Sequence, residues 1–318
     1  MLINKYITSS DSLVTSHDEI RSGFLSIALE KNRVGDPYIK NALTFKAMVS
    51  GTRNAEELLE IKEVRPFLVT ASGLSEKATT HLSEDDCILA IKELIDKFLK
   101  PAGNNYIDEA TFRYLLIKGD AVGGTMRNRI GAMGQEKLVR AIFSSMSVQN
   151  ISCDILHTSS EDWRPGKIDE ADIEKEVKAI KWKNKNGNRV VIFNATVPTV
   201  KKNIDICLYS CSANDTLQVT EKIKDDKSAI MYGELKGGID PAGADEHWKT
   251  ANSSLNRIRD SYKKAGYANI KTAFVGAAIE KAMAKEIYSQ LSDDIMTNAT
   301  NLTNTNQLTD FCNWLISL

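Results

Sequence analysis

Charge of one sign, cysteine and long apolar runs are all scarce in this sequence, and each shortage removes a class of protein. Forty-one Lys and Arg stand against 42 Asp and Glu, a formal net charge of −1 over 318 residues. An anionic partner must therefore be met by a local basic surface, not by the field of the whole molecule. The five cysteines, Cys87, Cys153, Cys207, Cys211 and Cys312, are odd in number, scattered and mostly set among apolar residues. They read as reduced thiols of a cytoplasmic protein. Cys207 and Cys211 are four apart, but no second Cys/His pair follows at zinc-finger spacing, which argues against a zinc clip. The longest apolar stretch, near residues 273–279, is far short of membrane length and contains a glycine. The opening MLINKYITSSDSLVTSHDEI lacks the continuous apolar core of a signal peptide. No internal repeat and no low-complexity segment is found.

What is present is a globular composition, 42% hydrophobic and 26% charged, with length enough for one large domain or two ordinary ones. The first part reads as helices. Residues 17–31 carry Ile20, Phe24, Ile27 and Leu29 at helical spacing; 54–64 begin at a capping Asn; 85–100 end at Pro101; 108–118 end before Gly119. A glycine-rich loop with Arg127 and Arg129 then feeds a helix from about Gln135. After residue 150 the texture changes. A polar loop including WRPGK (163–167) leads to a charged helix at 173–180. Asn186-Gly187 then marks a hairpin turn before a β-rich run at 190–197. Residues 202–210, 229–236 and 271–279 read as further strands, 244–265 as a long amphipathic helix, and FCNWLISL as the end of a last helix. The expected division is a mainly helical region, 1–145, followed by an α/β region, 146–318.

Chemistry concentrates at the end of the strand at 229–236. Glu234-Leu235-Lys236 closes an apolar run, and side chains two apart on a strand share a face, so Glu234 and Lys236 point together while Leu235 points to the other layer. Asp205 sits in an equally apolar run, Ile204-Asp205-Ile206-Cys207-Leu208, and joins them if the two strands pair. The triplet alone is weak. Glu60-Ile61-Lys62 and Glu176-Val177-Lys178 fall on expected helices and Asp225-Asp226-Lys227 in a polar loop, where they read as solvated surface. At strand ends, Asp205 and Glu234 with the Leu235 carbonyl can hold Mg²⁺ against a phosphodiester, and Lys236 can position water and add positive charge. The alternative is a structural ion pair on an edge strand. Two features weigh against it: GGIDPAG (237–243) lets backbone approach a ligand, and His247 follows near the start of the next helix, able to accept a proton or bond a phosphate.

With these residues in view, ID-x-CLY followed by ELKGGIDPAGADEHWKTA resembles the AvaI/BsoBI-type type II restriction endonucleases, a branch of the PD-(D/E)xK nucleases; the close likeness covers about 205–257. It implies a central mixed β-sheet flanked by helices. It implies Asp205, Glu234 and Lys236 as the catalytic core, Asp205 and Glu234 as metal ligands with Mg²⁺ as cofactor, and His247 near the attacking water. Asp240 falls in the loop that approaches base edges in the family, where a carboxylate accepts from cytosine N4. Ile204 stands where the superfamily name places proline, a position that tolerates variation. The resemblance further implies a bacterial cytoplasmic enzyme and cleavage of double-stranded DNA at the degenerate palindrome CYCGRG with 5′ overhangs. It implies a homodimer whose helical region completes a ring around the duplex, and a partner methyltransferase protecting the same site.

Phosphate contacts are still needed when net charge is near zero. Arg127 and Arg129 are candidates, as are Lys201 and Lys202 before the Asp205 strand. Lys77 in SGLSEKATTH could reach guanine, as a similar lysine does in the family. Each reads equally as a solvated surface charge. WRPGK reads as an ordered loop. GDAVGG (119–124) lacks the Gly-Lys-Ser/Thr ending of a P-loop, which removes an ATP-driven enzyme. The rivals to a restriction enzyme are a repair or structure-selective PD-(D/E)xK nuclease and a DNA-binding protein with a decayed site. The intact acid–acid–lysine set opposes the last.

Overall fold

Helix starts in the first half of the chain are written in its capping residues. In the computed structural model, which describes residues 3–160, 162–167, 170–212, 218–267 and 270–318, helix α1 (His17–Met48) opens on Asp18 and Glu19, favourable charges at a helix N-terminus. It runs well past the expected end at 31, through Pro37. Asn54 accepts the Glu57 N–H at 3.2 Å to start a 3₁₀ turn, Ala55–Glu60. Helices α2 (Arg65–Ala71) and α3 (Glu76–Thr79) follow, and Ser83 and Asp86 cap α4 (Glu84–Leu94) reciprocally.

Helix α5 (Tyr106–Val148) corrects the reading of 119–134 as a glycine-rich loop. Each glycine costs a helix about 1 kcal/mol relative to alanine, yet burial decides. Tyr106, Ala110 and Tyr114 are buried before the glycines, Val122 and Met126 among them, and Leu138, Val139 and Ile142 after them. Arg127 and Arg129 therefore stand on a helix.

The chain divides into two compact units, Leu25–Asn128 on one hand and Met1–Phe24 with Arg129–Leu318 on the other. The first is all-helical. Its core stacks Phe45, Phe67 and Tyr114 with ring centroids 3.9 Å apart in each step, around Leu58, Leu68, Ile91 and Leu94.

The second unit is built on one eight-stranded sheet. In chain order the strands are β1 (Cys153–His157), β2 (Trp163–Pro165), β3 (Val177–Asn184), β4 (Gly187–Val197), β5 (Lys202–Cys211), β6 (Ala229–Lys236), β7 (Lys271–Gly276) and β8 (Asn298–Asn301). In space they run β2-β1-β3-β4-β5-β6-β7-β8. Pairing is antiparallel up to β5–β6 and parallel for β6–β7 and β7–β8, so this is the mixed α/β sheet expected. Besides the end of α5, this unit contains α6 (Val219–Lys222), α7 (Ala244–Lys264), α8 (Lys281–Ser292) and α9 (Thr305–Ser317). Parallel pairs need a crossover, and α7 and α8 supply the two. Trp248, Ala251, Leu255, Ile258 and Tyr262 form the buried stripe of α7, with Trp248 edge-on to Phe274 of β7 at 5.1 Å.

The expected charged helix at 173–180 is a second correction: a single 3₁₀ turn, Ile173–Glu176, gives way to β3. Val177 and Ala179 alternate with Ile180 and Trp182 onto opposite faces, and the strand pairs with β4 through the Asn184–Gly187 turn. WRPGK is a loop only in part, since Trp163–Pro165 pairs with β1. The N-terminal segment ties to the sheet's other end: Asn4 donates to the Ala299 carbonyl at 3.2 Å, and Thr15 bonds both the Ala277 carbonyl and the Ile279 N–H. Among the described residues no helix is long and apolar enough to cross a membrane.

Candidate active site

Strands β5 and β6 stop pairing just where the charges begin. The last paired residues are Ile206 and Gly233, so the next positions, Asp205 and Glu234, lie opposite one another with no ladder between them. In place of a backbone partner, the Leu235 N–H donates to Asp205 Oδ2 at 2.7 Å. Strand β6 meanwhile keeps its register with β7 out to Lys236 and Gly276, which holds the charged end rigid. Alternation puts Asp205 on the face of Cys207 and Tyr209, and Glu234 on the face of Tyr232; all three neighbours lie in the core that packs under α7. The three charged groups therefore cap an apolar layer.

They converge as the spacing predicts. Lys236 Nζ donates to Glu234 Oε2 at 3.0 Å and to Asp205 Oδ2 at 3.4 Å. Glu234 is only 3% exposed, while the side chains of Asp205 and Lys236 are 23% and 21% exposed. The site is thus open on one side and closed on the other. Leu235 points away, into contact range of α5 beside Gly134.

Sequence reasoning missed Ser254, which donates to Glu234 Oε1 at 2.5 Å and is 1% exposed. Its signal was present: Ser254 falls three residues after Ala251 on the buried stripe of α7, and a hydroxyl buried there needs a partner.

Electrostatics separate the roles. Burial, and then the nearby Asp205 charge, push the Glu234 carboxyl above its ordinary value, against the pull of Lys236 and Ser254. Burial pulls Lys236 down, but the Asp205 and Glu234 charges outweigh it and hold its pKa above the ordinary value. Lys236 is therefore a fixed ammonium here, and the carboxylate pair has room for further positive charge. No three His, Cys, Asp or Glu side chains among the described residues gather into a metal cluster. A divalent ion at this pair would complete its shell with carbonyl, water or phosphate oxygens, the hard donor set that suits Mg²⁺.

Downstream of Lys236 the loop is seated on glycines. A Cβ on Gly237 would stand 2.8 Å from Gly134 Cα, and one on Gly243 3.3 Å from His247 Nε2. His247 is exposed, its ring over Gly238 and Gly243. Asp240 is exposed and caps the short turn Pro241–Gly243, accepting the Ala242 N–H at 3.0 Å. Of the basic candidates, Lys201 is exposed with φ +55 and Lys202 opens β5. Arg129 forks onto the Glu136 carboxylate, with one contact at 3.1 Å. Lys77, on α3, and Arg127, on α5, belong to the helical unit, and both are exposed.

A mixed sheet whose neighbouring strands bring two carboxylates and a lysine together at their ends is the architecture of the PD-(D/E)xK nucleases, and that is the class of this fold. Residues 3–318 match the family described as restriction endonuclease BsobI, and the chain belongs to it. It is 45% identical over 315 residues to the type II restriction enzyme AvaI of Nostoc sp. and of Anabaena variabilis, covering 98% of both chains. It is 44% identical over 317 residues to the type II restriction enzyme BsoBI of Geobacillus stearothermophilus, covering 98% of this chain and 97% of that one. The likeness seen around 205–257 thus extends along the whole chain, and the chain is a restriction endonuclease.

Proposed function

We propose that this chain is a Mg²⁺-dependent type II enzyme that acts as a homodimer on double-stranded DNA at CYCGRG-like palindromes, leaving 5′ overhangs, in a bacterial cytoplasm where a methyltransferase protects the same sites. The observation that carries the reading is the convergence of Asp205, Glu234 and Lys236 at the open end of β5 and β6. Asp205, Glu234 and the Leu235 carbonyl are the groups that would hold the ion. Bound there, Mg²⁺ supplies positive charge against the phosphodiester and its transition state. Lys236 adds a second, fixed positive charge and orients the attacking water. His247 takes up a proton beside it. Asp240 reads a cytosine amino group; Lys77 reads a guanine edge; Arg127, Arg129, Lys201 and Lys202 meet phosphates. The helical region within 1–145 closes the ring and supplies dimer contacts, and 146–318 carries the chemistry.

Digestion of plasmid DNA of known sequence, with end mapping, tests this. Discrete fragments ending within CYCGRG, lost on chelation of divalent ions, are expected. Ragged fragments would favour a repair or structure-selective nuclease, and binding without cleavage in Mg²⁺ a decayed site.

Two substitutions probe the assignments separately. Ser254→Ala removes the donor that holds the buried oxygen of Glu234 in place. It should raise the Mg²⁺ concentration for half-maximal cleavage about 10-fold, the usual scale for a group that orients a ligand. An unshifted magnesium titration would mean that Glu234 is oriented without it. Asp240→Ala should lose about 1–3 kcal/mol of discrimination between the palindrome and single-base variants, the worth of one base-edge contact. Competition binding measures it, and an unchanged preference would end the base-reading role.

A further inference from the structure

Helix α1 carries two apolar rows on opposite sides. One holds Ile27, Val34, Tyr38 and Phe45, which are half-buried or buried, the last two in the helical core. The other holds Leu25, Leu29, Ile39 and Leu43, which are 60%, 73%, 49% and 63% exposed. Scattered exposed leucines need no explanation, but a row does. Asn32 and Asp36, both exposed, complete it, so that its members step by four and three residues in alternation, the spacing of a helix–helix seam.

The row is also symmetric end for end. Reversed about its midpoint, Leu25 falls on Leu43, Leu29 on Ile39 and Asn32 on Asp36. A surface that maps onto itself this way is what an isologous two-fold contact requires. Two antiparallel copies would seat leucine on leucine at the ends and Leu29 on Ile39 within. At the middle, the Asn32 amide of each copy would donate to the Asp36 carboxylate of the other. Asn32 spends one donor on the Ala28 carbonyl at 3.0 Å and has a second to give. Gly35 flanks the seam, and a Cβ there would meet nothing within 4 Å, which leaves room for a close backbone. Duplex DNA does not fit this row: none of its six members is a cation, and the neighbouring Lys40 is paired with Asp36 at 2.8 Å.

We propose that α1 is self-complementary and forms an antiparallel pair with α1 of a second copy along Leu25, Leu29, Ile39 and Leu43. This rests on the homodimer reading above and names a contact for it.

Cysteine pairing tests the register. In a Cys87→Ser background, the double variant Leu29→Cys/Ile39→Cys should oxidise to a covalent dimer. Neither single variant should, because like positions in the two copies would lie about 15 Å apart at 1.5 Å per residue. The companion variant Leu29→Asp/Ile39→Asp should raise the dimer dissociation constant at least ~100-fold by sedimentation, with its melting temperature in the monomer unchanged. Cross-linking of a single variant, or a dimer that neither forms the double cross-link nor responds to the aspartates, overturns the contact while the homodimer stands. A parent chain that sediments as a monomer at every concentration, with and without DNA, overturns both.

Discussion

Lys236→Ala should cut its DNA at less than about one-thousandth of the parent rate and still bind the same palindrome in Ca²⁺ nearly as well. The rate falls because a preorganised charge aimed at a developing anion is worth about 10²–10³ by itself, and this ammonium also sits between two carboxylates, 3.0 Å from Glu234 and 3.4 Å from Asp205. Binding should survive in Ca²⁺ because protein–DNA interfaces in general spread recognition over many phosphate and base contacts. Without any divalent ion it should weaken, since two uncompensated carboxylates would then face the phosphate. The same imbalance should lower the melting temperature in chelator and recover with Mg²⁺. Lys236→Arg should not restore the rate, because a planar fork cannot take the place of a compact ammonium between two acids on adjacent strands. Single-turnover cleavage, paired with binding in Ca²⁺, checks all of this; cutting within about tenfold of the parent would remove Lys236 from the reaction.

That such a result can be expected from sequence at all depends on the period of a strand. Two residues apart on β6 means one face, and the apolar run around Asp205 marked a second strand, so the meeting of Asp205, Glu234 and Lys236 was legible on the condition that the two strands pair, which they do. Strands β5, β6 and β7, the Asn186-Gly187 hairpin and α7 with its buried stripe were legible for the same reason: each carries its period in its apolar residues. Other elements were not, and three of them show why. Ser254 was hidden because a single serine within an apolar stripe looks like a gap, and its partner lies twenty residues upstream on another element. The strand at Val177–Asn184 was hidden because its lysines mimic the exposed face of a charged helix, and only pairing to β4 decides between them. The middle of α5 was hidden because glycine propensity argues locally for a loop, whereas the burial of Val122 and Met126 is a property of the folded chain that local propensity does not carry. Local signals reached the cluster of Asp205, Glu234 and Lys236; the contacts that brace it are tertiary.

Gly134 shows how much one of those braces carries. On propensity alone, Gly134→Ala should stabilise α5 by up to about 1 kcal/mol. The added Cβ, however, would stand 2.5 Å from Gly237 Cα and 3.4 Å from its nitrogen, and backbone cannot swing aside as a flexible side chain can. Overpacking of this kind costs about 1–3 kcal/mol, so the clash outweighs the propensity, and the variant should be less stable than the parent. Gly123→Ala, on the same helix with nothing within 4 Å of its Cβ, isolates the propensity and should be more stable. Opposite signs for one substitution at two positions of one helix are the expected result of paired denaturation curves. The effect on activity should be larger than the effect on stability. Gly237 follows Lys236 directly, so the cheapest relief of the clash moves the end of β6, and a displacement near 1 Å at a reacting group costs about 10² in rate. Cleavage by Gly134→Ala should therefore fall about 100-fold while Gly123→Ala cuts normally. If both variants gain stability and both cut at the parent rate, the close approach of α5 to the glycine loop does not hold the active site in place.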